Sequence, residues 1–131
     1  MTTMTPLTPG ELSVIGGRAA VLVHIADDAM RAHDWDHAHG YYLEARDLTS
    51  LLAFNSGKMH YIALSLARIE FHKGNFAEAL GALENLVPDI DWLMPCDIEI
   101  MAVCNEKLGN DTKARKLHQA AIDAQEELES F

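Results

Sequence analysis

The stretch ALSLARIEFHKGNFAEALGALENL, residues 63–86, decides the fold. Its apolar residues recur every three or four positions, which is typical of helices that bury one face. Gly74 and Asn75 interrupt this pattern, because glycine suits the residue after a helix and asparagine suits the cap of the next. Glu78, three residues after Asn75, completes a capping-box signature. The stretch therefore predicts two helices joined by a short turn.

The same frame of small residues recurs on both sides of this stretch. Asp34, Asn75 and Asn110 each stand where a helix cap is expected, and an alanine follows each after four residues. A second alanine lies twelve residues before each of these. Small side chains at facing positions let two helices approach closely, so we predict three helical hairpins. The hairpins are predicted at approximately residues 10–54, 58–87 and 96–129. The structural positions of the frame are Ala26, Ala38, Ala67, Gly74, Ala79, Ala102, Gly109 and Ala114.

Several shorter signals predict where individual helices begin and end. Residues 8–11 (TPGE) predict a capped helix start with proline in the first turn. The second helix is expected to reach about Phe54, with Gly57 in the left-handed position after it. The first period of the frame is 41 residues and the second is 35, which implies about two additional helical turns before Gly57. Pro88 is expected to end the fourth helix and to precede a loop over residues 89–95.

The frame resembles the tetratricopeptide repeat (TPR), a helix–turn–helix unit of about 34 residues. In the middle unit, Leu66-Ala67 stand where that family has Leu-Gly, and residues 74–76 stand at its Gly-x-aromatic positions. The late aromatic of the family's first helix is absent from all three units. The other two units match through Ile25, Ala26, Trp35, Ala38, Tyr42 and Ala45 and through Met101, Ala102, Gly109, Ala114, His118 and Ala121. The resemblance implies an all-α fold: one domain, residues 1–131, forming a short right-handed α-solenoid with a concave groove.

Repeats of this family usually bind a peptide in the groove that their first helices line. The resemblance therefore implies a cytoplasmic protein–protein interaction adaptor or chaperone, which binds a partner peptide or helix and needs no cofactor. For each groove residue, ordinary packing between helices is the other interpretation. Carried over to this chain, the groove residues are Val23, Asp27, Met30, Arg31, Tyr61, Leu64, Arg68, Phe71, His72, Cys96, Glu99, Val103 and Glu106.

Charge and composition exclude other classes of function. The chain has 10 Lys and Arg against 20 Asp and Glu, a net charge of −10, which argues against binding to a phosphate backbone. No apolar run approaches the roughly 20 residues of a membrane span, and no secretory signal is visible. Residues 89–106 hold five acids and no base, which favours a basic or amphipathic partner docking near the third hairpin. A solvated acidic loop is the other interpretation of that run.

No constellation in the sequence predicts catalysis or a cofactor. A metalloprotease helix motif, a phosphate-binding loop and a nucleophile elbow are all absent from the sequence, so we predict that the chain is not an enzyme. His33 and His37 would lie one turn apart on a regular helix, with Asp34 and Asp36 as oxygen ligands. However, the frame places His33 in a turn and Asp34 at a cap, which favours surface roles over a metal site. Metal binding by this His-rich segment stays as an alternative.

Two further alternatives concern the class of protein. KGNFAEALGALENLVPDIDW, residues 73–92, and the following Cys-containing helix are similar to small TPR-type chaperones of bacterial type III secretion. Those chaperones hold an aggregation-prone secreted subunit before export. A self-assembling helical module, in which another copy fills the groove, is a different interpretation of the same apolar surface. The chain would then be a homo-oligomer or a fragment of a larger TPR regulator.

Overall fold

The computed structural model describes residues 6–53, 55–86 and 93–130. These residues form α-helices with no strand among them, which confirms the predicted all-α class. Contacts divide the chain into two compact units, Met1–Ile62 and Ala63–Phe131. The helices are α1 (Pro9–Arg31), α2 (Trp35–Thr49), α3 (Ser56–His72), α4 (Phe76–Leu86), α5 (Pro95–Lys107) and α6 (Asp111–Glu129).

The predicted start of α1 is confirmed. The Glu11 backbone N–H donates to the Thr8 hydroxyl at 3.1 Å, and the Thr8 backbone N–H donates to the Glu11 carboxylate at 3.1 Å. Pro9 occupies the first helical position, where its missing N–H costs nothing because that donor has no partner within a helix. The local sequence therefore determines this helix end.

Three turns of the chain share one backbone geometry. The residue before each cap has a left-handed φ, of 58° at His33, 83° at Gly74 and 86° at Gly109. In each turn the backbone N–H of the following cap residue donates to the carbonyl five residues before it. The distances are 2.9 Å for Asp34 to Ala29, 2.9 Å for Asn75 to Glu70 and 2.8 Å for Asn110 to Asn105. Helix pairs α1–α2, α3–α4 and α5–α6 are thus joined by equivalent turns.

We expect Gly74→Ala to lower the free energy of unfolding by about 1–2 kcal/mol, because an L side chain is strained at a left-handed φ. Gly81→Ala is the matched control on α4, where an added Cβ meets no neighbour within 4 Å. We expect that control to raise stability by about 0.5–1 kcal/mol, since alanine is the better residue inside a helix. Urea unfolding of both variants measures the two effects. Equal effects of the same sign would contradict the assigned turn geometry.

The alanines of the frame lie in the core of each unit. In the first unit, α1 packs on α2, with Ala26 and Ala38 fully buried between them. In the second unit, α5 packs against both α4 and α6. Small side chains thus occupy buried helix faces in both units, which is the placement that close packing of helices requires. The buried cluster of the second unit contains Ala67, Ala79, Leu80, Leu83, Leu93, Ile98, Met101, Ala102, Cys104, Leu117 and Ala121.

The predicted end of α2 is wrong. The helix ends at Thr49 rather than about Phe54, which itself lies outside the described residues, and Gly57 lies in the first turn of α3. The Asn55 side-chain amide donates to the carbonyls of Thr49 and Leu52, at 2.9 and 2.8 Å. A side chain therefore satisfies carbonyls at this helix end, where a glycine turn was expected.

Of the two additional turns predicted before Gly57, about one lies in α2, which has 15 residues against the 11 described in α4. A further turn lies in α3, which has 17 residues against 13 in α5. This further turn is placed at the beginning of the helix, where it helps to build the pocket described below. The predicted stop at Pro88 and most of the predicted loop lie outside the described residues.

Candidate functional site

The predicted groove residues all keep part of their surface accessible. Each of them is either half-buried or exposed. The structure brings Val23, Asp27 and Tyr61 together in the first unit, and Glu99 and Glu106 together in the second. Arg68, Leu64 and Phe71 are instead engaged with the core of the second unit, as described below.

A pocket of about 290 Å³ lies in the first unit, between α1, the end of α2 and the beginning of α3. Its wall is mostly apolar, and it includes the exposed residues Ala20 and Tyr61, so it opens to solvent. Concave, largely apolar surfaces with a few polar groups are where proteins usually bind ligands or side chains. The lining residues are Ala19, Ala20, Val23, Thr49, Gly57, Lys58 and Tyr61.

Asp27 holds the Tyr61 side chain in place beside this pocket. The Tyr61 hydroxyl donates to the Asp27 carboxylate at 2.8 Å, and the buried Tyr42 hydroxyl donates to the same oxygen. Two phenols from different helices therefore converge on one carboxylate of α1. Because ionised carboxylates accept strong hydrogen bonds, this arrangement fixes the orientation of the Tyr61 ring. Asp27 thus builds the site by positioning Tyr61.

Five of the seven lining residues were not predicted as groove residues: Ala19, Ala20, Thr49, Gly57 and Lys58. Thr49 is fully buried at the end of α2, and Lys58 is exposed in the first turn of α3. Thr49 and Lys58 were not expected at a site, because α2 was predicted to continue past Thr49 toward Gly57. In the structure α2 ends at Thr49, and both Thr49 and Lys58 line the pocket.

The other two predicted groove residues of α1, Met30 and Arg31, are half-buried and exposed, respectively. Arg31 pairs with the Asp28 carboxylate at 2.5 Å, and both side chains are largely exposed. Exposed pairs of this kind contribute little to stability, about 0–1 kcal/mol. Met30 is half-buried. These two side chains remain accessible near the end of α1, as a binding surface requires.

Arg68 forms a buried ion pair in the second unit. Its Nε and Nη2 atoms donate to the two oxygens of Asp97 at 2.8 and 2.9 Å. The Asp97 side chain is 0% exposed, and that of Arg68 is 28% exposed. A planar guanidinium bound to both oxygens of a carboxylate is a specific and strong arrangement. Arg68 therefore joins α3 to the first turn of α5, a structural role that the groove prediction did not anticipate.

Leu64 and Phe71 pack against the buried cluster of the second unit. The Phe71 ring lies edge-on to Phe76, with the ring centroids 5.9 Å apart. These contacts favour the core interpretation for both residues. His72 is exposed and Val103 is half-buried.

His118 of α6 lies between two glutamates of the predicted groove. Its Nδ1 atom is 2.8 Å from the Glu99 carboxylate, and its Nε2 atom is 3.5 Å from the Glu106 carboxylate. The hydrogen bond to Glu99 raises the pKa of His118 above its ordinary value, and Glu106 raises it further. Glu99 also lines an open cleft of about 390 Å³ between α5 and α6, together with the exposed Cys96.

We expect this cluster to make stability depend on pH. Because the folded pKa of His118 is raised, its stabilisation is complete below the unfolded value of about 6.5 and is lost as the pH rises through the folded pKa. The melting temperature of wild type should therefore exceed that of His118→Gln at pH 6 or below. The difference should shrink as the pH increases. His60→Gln, at an exposed position of α3, is the control. A difference that is constant with pH would contradict the prediction.

The His-rich segment 33–39 forms local contacts at the turn between α1 and α2. His33 stacks on Trp35 with the ring centroids 5.2 Å apart, and the His37 Nδ1 atom is 2.6 Å from the Asp34 carboxylate. The hydrogen bond from His37 lowers the pKa of Asp34. Burial raises the pKa of Cys104 to about 11, so this thiol stays protonated.

Among the residues that the structure describes, no three His, Cys, Asp or Glu side chains form a group suited to a metal ion. Two of the five acids in residues 89–106, Asp89 and Asp91, lie outside the described part of the chain. No helix in the described ranges combines the length and the apolar character needed to cross a bilayer. Comparisons with protein-family models, with curated proteins and with solved structures gave no match.

Proposed function

We propose that the chain is an adaptor or chaperone that binds a segment of another protein on the first helices of its hairpins. The observation that carries the proposal is the apolar pocket of the first unit, which opens beside the predicted groove residues Val23 and Tyr61. Aromatic walls and apolar pockets are where a few side chains of a partner supply most of the binding energy. The proposal assigns no catalytic step and no cofactor to the chain.

A repeat architecture is part of this proposal. The three equivalent turns, each preceded and followed by a buried alanine, support a short right-handed α-solenoid of TPR-like hairpins. In such a fold each unit adds surface to a shared binding face. The proposal also places the protein in the cytoplasm, where its two free cysteines would stay reduced.

Charge supports a basic or amphipathic segment as the partner for the third hairpin. Glu99 and Glu106 lie on α5 with their carboxylates directed at His118, and the chain as a whole carries a charge of −10. Opposite charge on a partner would speed its association in a manner that salt suppresses. The likeness to type III secretion chaperones makes an aggregation-prone exported subunit the first partner to test.

The test uses two variants of α1. Val23 lines the pocket, whereas Val21 is exposed, and two residues along a helix place them roughly 160° apart around its axis. Wild type, Val23→Arg and Val21→Arg are each used to capture proteins from the source organism. A partner retained by Val21→Arg and lost by Val23→Arg supports the proposal. A set of partners that is the same for all three proteins would refute it.

Self-assembly is a second candidate, and one observation favours it. Val14, Val21 and Ile25 form a stripe along α1, with exposures of 71%, 58% and 38%. Their spacing of seven and four residues places them on one helix face. If another copy covers this stripe, light scattering of wild type should show an oligomer that Val21→Arg converts to a monomer. A monomeric wild type at high concentration would remove this candidate.

A further inference from the structure

An open cleft of about 390 Å³ lies in the second unit, between the amino end of α5 and the carboxyl half of α6. Most of its wall is apolar, and it includes Ile122, which is 50% exposed. Glu99 of α5 and Glu126 of α6 also lie in the wall, and no lysine or arginine is among the described residues that line it. The cleft therefore combines exposed apolar surface with a carboxylate from each of its two helices.

Both carboxylates can accept further hydrogen bonds. Within the described part of the chain, the Glu126 side chain makes no hydrogen bond or ion pair. The Glu99 carboxylate contacts the His118 Nδ1 atom at 2.8 Å. Because an ionised carboxylate has about four acceptor positions, this contact leaves Glu99 able to accept from another donor. A cationic group in the cleft would therefore find acceptors on both sides.

The carboxyl end of α6 carries negative charge that its own bases do not offset. Its last turn contains three glutamates and no basic residue, at the end of the helix where the dipole is also negative. The lysines and arginine of α6 lie in its first two turns, and the last of them, Lys116, is ten residues before Glu126. That separation is about 15 Å along the axis, longer than the screening length of roughly 8 Å at physiological salt. The charge of the cleft thus favours a cation from outside the helix pair.

Two other cationic groups of the second unit already have carboxylate partners. Arg68 donates to both oxygens of Asp97, so these two charges offset one another. His118 contacts Glu99 and a second glutamate, so a single imidazolium charge faces two carboxylates. Neither group contacts Glu126 within the described ranges. The charge of Glu126 is therefore left for a ligand.

The composition of the wall selects a long cationic side chain as the occupant. Lysine and arginine lay their methylene stems along apolar surface and keep the charged head at a polar edge. An acidic side chain would be repelled by the two carboxylates. A purely apolar side chain would remove water from them without supplying a partner, which is unfavourable. A cation on an apolar stem matches both parts of the wall.

We propose that this cleft is the anchor site for a lysine or arginine side chain on a basic amphipathic segment of the partner. This inference rests on the proposed function, and it gives the basic segment expected at the third hairpin a defined site. The methylene stem lies on Ile122, and the charged head lies between Glu99 and Glu126. Apolar side chains of the segment cover the rest of the exposed apolar wall.

The first experiment uses Cys96, an exposed thiol that lines the cleft, as a reporter. The full chain is equilibrated with equal concentrations of cystamine and 2-hydroxyethyl disulfide and their thiols, and mass spectrometry gives the ratio of the two adducts at Cys96. The adducts differ by an ammonium against a hydroxyl, so the ratio reports the preference of the cleft for a cation. We expect the ratio to be about 3–10-fold higher in wild type than in the double variant Glu99→Gln, Glu126→Gln, the range for two exposed ion pairs.

The matched control is the double variant Glu127→Gln, Glu129→Gln. It removes the same number of charges from the same end of α6, but from residues that do not line the cleft. We expect it to change the ratio by less than about twofold, because salt screens these more distant charges. Glu126→Gln alone keeps the contact between His118 and Glu99 and should lower the ratio in part. A ratio that is equal in wild type and in Glu99→Gln, Glu126→Gln, or that the control lowers as much, would overturn the inference.

The second experiment distinguishes a segment of a protein from a free amine. The probes are the capped octapeptide Leu-Lys-Ala-Leu-Leu-Lys-Ala-Leu and the same peptide with both lysines acetylated, which removes their charge. We expect the unmodified peptide to bind several-fold more tightly to wild type, and Glu99→Gln, Glu126→Gln to remove that advantage. Ile122→Ser should weaken both peptides, whereas Val21→Ser, at an exposed position of the first unit, should weaken neither. If the cystamine adduct is preferred but neither peptide binds, the partner segment is wrong and the cleft takes a free amine.

The two proposals fail separately. Partners that depend on Val23, combined with no preference for the cystamine adduct, would retain the adaptor function and reject the cationic anchor. A preference for the cystamine adduct that depends on Glu126, combined with no partner that depends on Val23, would retain the cation site and reject the adaptor that is proposed to use it.

Discussion

Substituting Arg68 by alanine should lower the free energy of unfolding by about 3–5 kcal/mol. The reason is Asp97, which is 0% exposed and receives both of its charge-assisted hydrogen bonds from Arg68, at 2.8 and 2.9 Å. Without Arg68 the carboxylate would be left charged and buried without its cation. Such a loss is a large part of the stability of a domain of this size, typically about 5–15 kcal/mol. Urea unfolding followed by circular dichroism measures it.

Two controls separate this effect from a general loss of charge. Arg115→Ala removes an exposed arginine from α6 and should change stability by less than about 0.5 kcal/mol. The double variant Arg68→Met, Asp97→Leu removes both charges and should recover most of the loss, because an apolar pair of similar volume avoids the desolvation cost. If Arg68→Ala costs no more than Arg115→Ala, the pair is not buried in solution.

This structural role also decides which substitutions can test binding. The resemblance implies a groove role for Arg68, and in that role its removal would weaken partner binding while leaving the helices intact. Its contact with Asp97 means that removal acts first on folding, so a loss of binding would be ambiguous. Val23 is the cleaner position, because it lines the pocket and makes no polar contact through its side chain.

The features that sequence predicted well are those that neighbouring residues determine. The capping box at the start of α1 involves residues three apart, and it forms as expected. The left-handed turns at Gly74 and Gly109 follow from the rarity of a positive φ in other residues. His33 adopts the same geometry without being glycine, and it was placed in the turn by the spacing of the frame alone. Local chemistry and a repeated spacing were therefore sufficient for these elements.

The candidate site depended on contacts that no local pattern specifies. Asp97 lies 29 residues from Arg68, and nothing in the sequence indicates which of many carboxylates an arginine will meet. Thr49 became part of a pocket only because α2 ends there, and that end depends on the Asn55 side chain instead of a glycine. A displacement of about one helical turn in a predicted helix end was enough to hide the pocket. Sites built from several helices are sensitive to such errors, because each turn moves a side chain by about 5 Å along the axis.

The frame of small residues predicts that Ala79 cannot be replaced by a larger residue without a loss of stability. Ala79 is fully buried, and it belongs to the same buried cluster as Ala67 of α3 and Leu83 of α4. Ala79→Leu adds three carbon atoms where the helices pack closely, so the neighbouring side chains or the backbone must shift. We expect the free energy of unfolding to fall by about 1–3 kcal/mol or more. Urea unfolding of the variant and of wild type measures the difference.

Ala77→Leu is the matched control, because Ala77 lies on the same helix, two residues away, and is exposed. Both substitutions add the same atoms and both residues favour helices, so intrinsic helix preference cancels in the comparison. We expect Ala77→Leu to change stability by less than about 0.5 kcal/mol. A variant Ala79→Leu as stable as Ala77→Leu would mean that the buried cluster around Ala79 has room for a larger side chain. The recurring alanines would then reflect composition, and the close approach of helices could not explain their spacing.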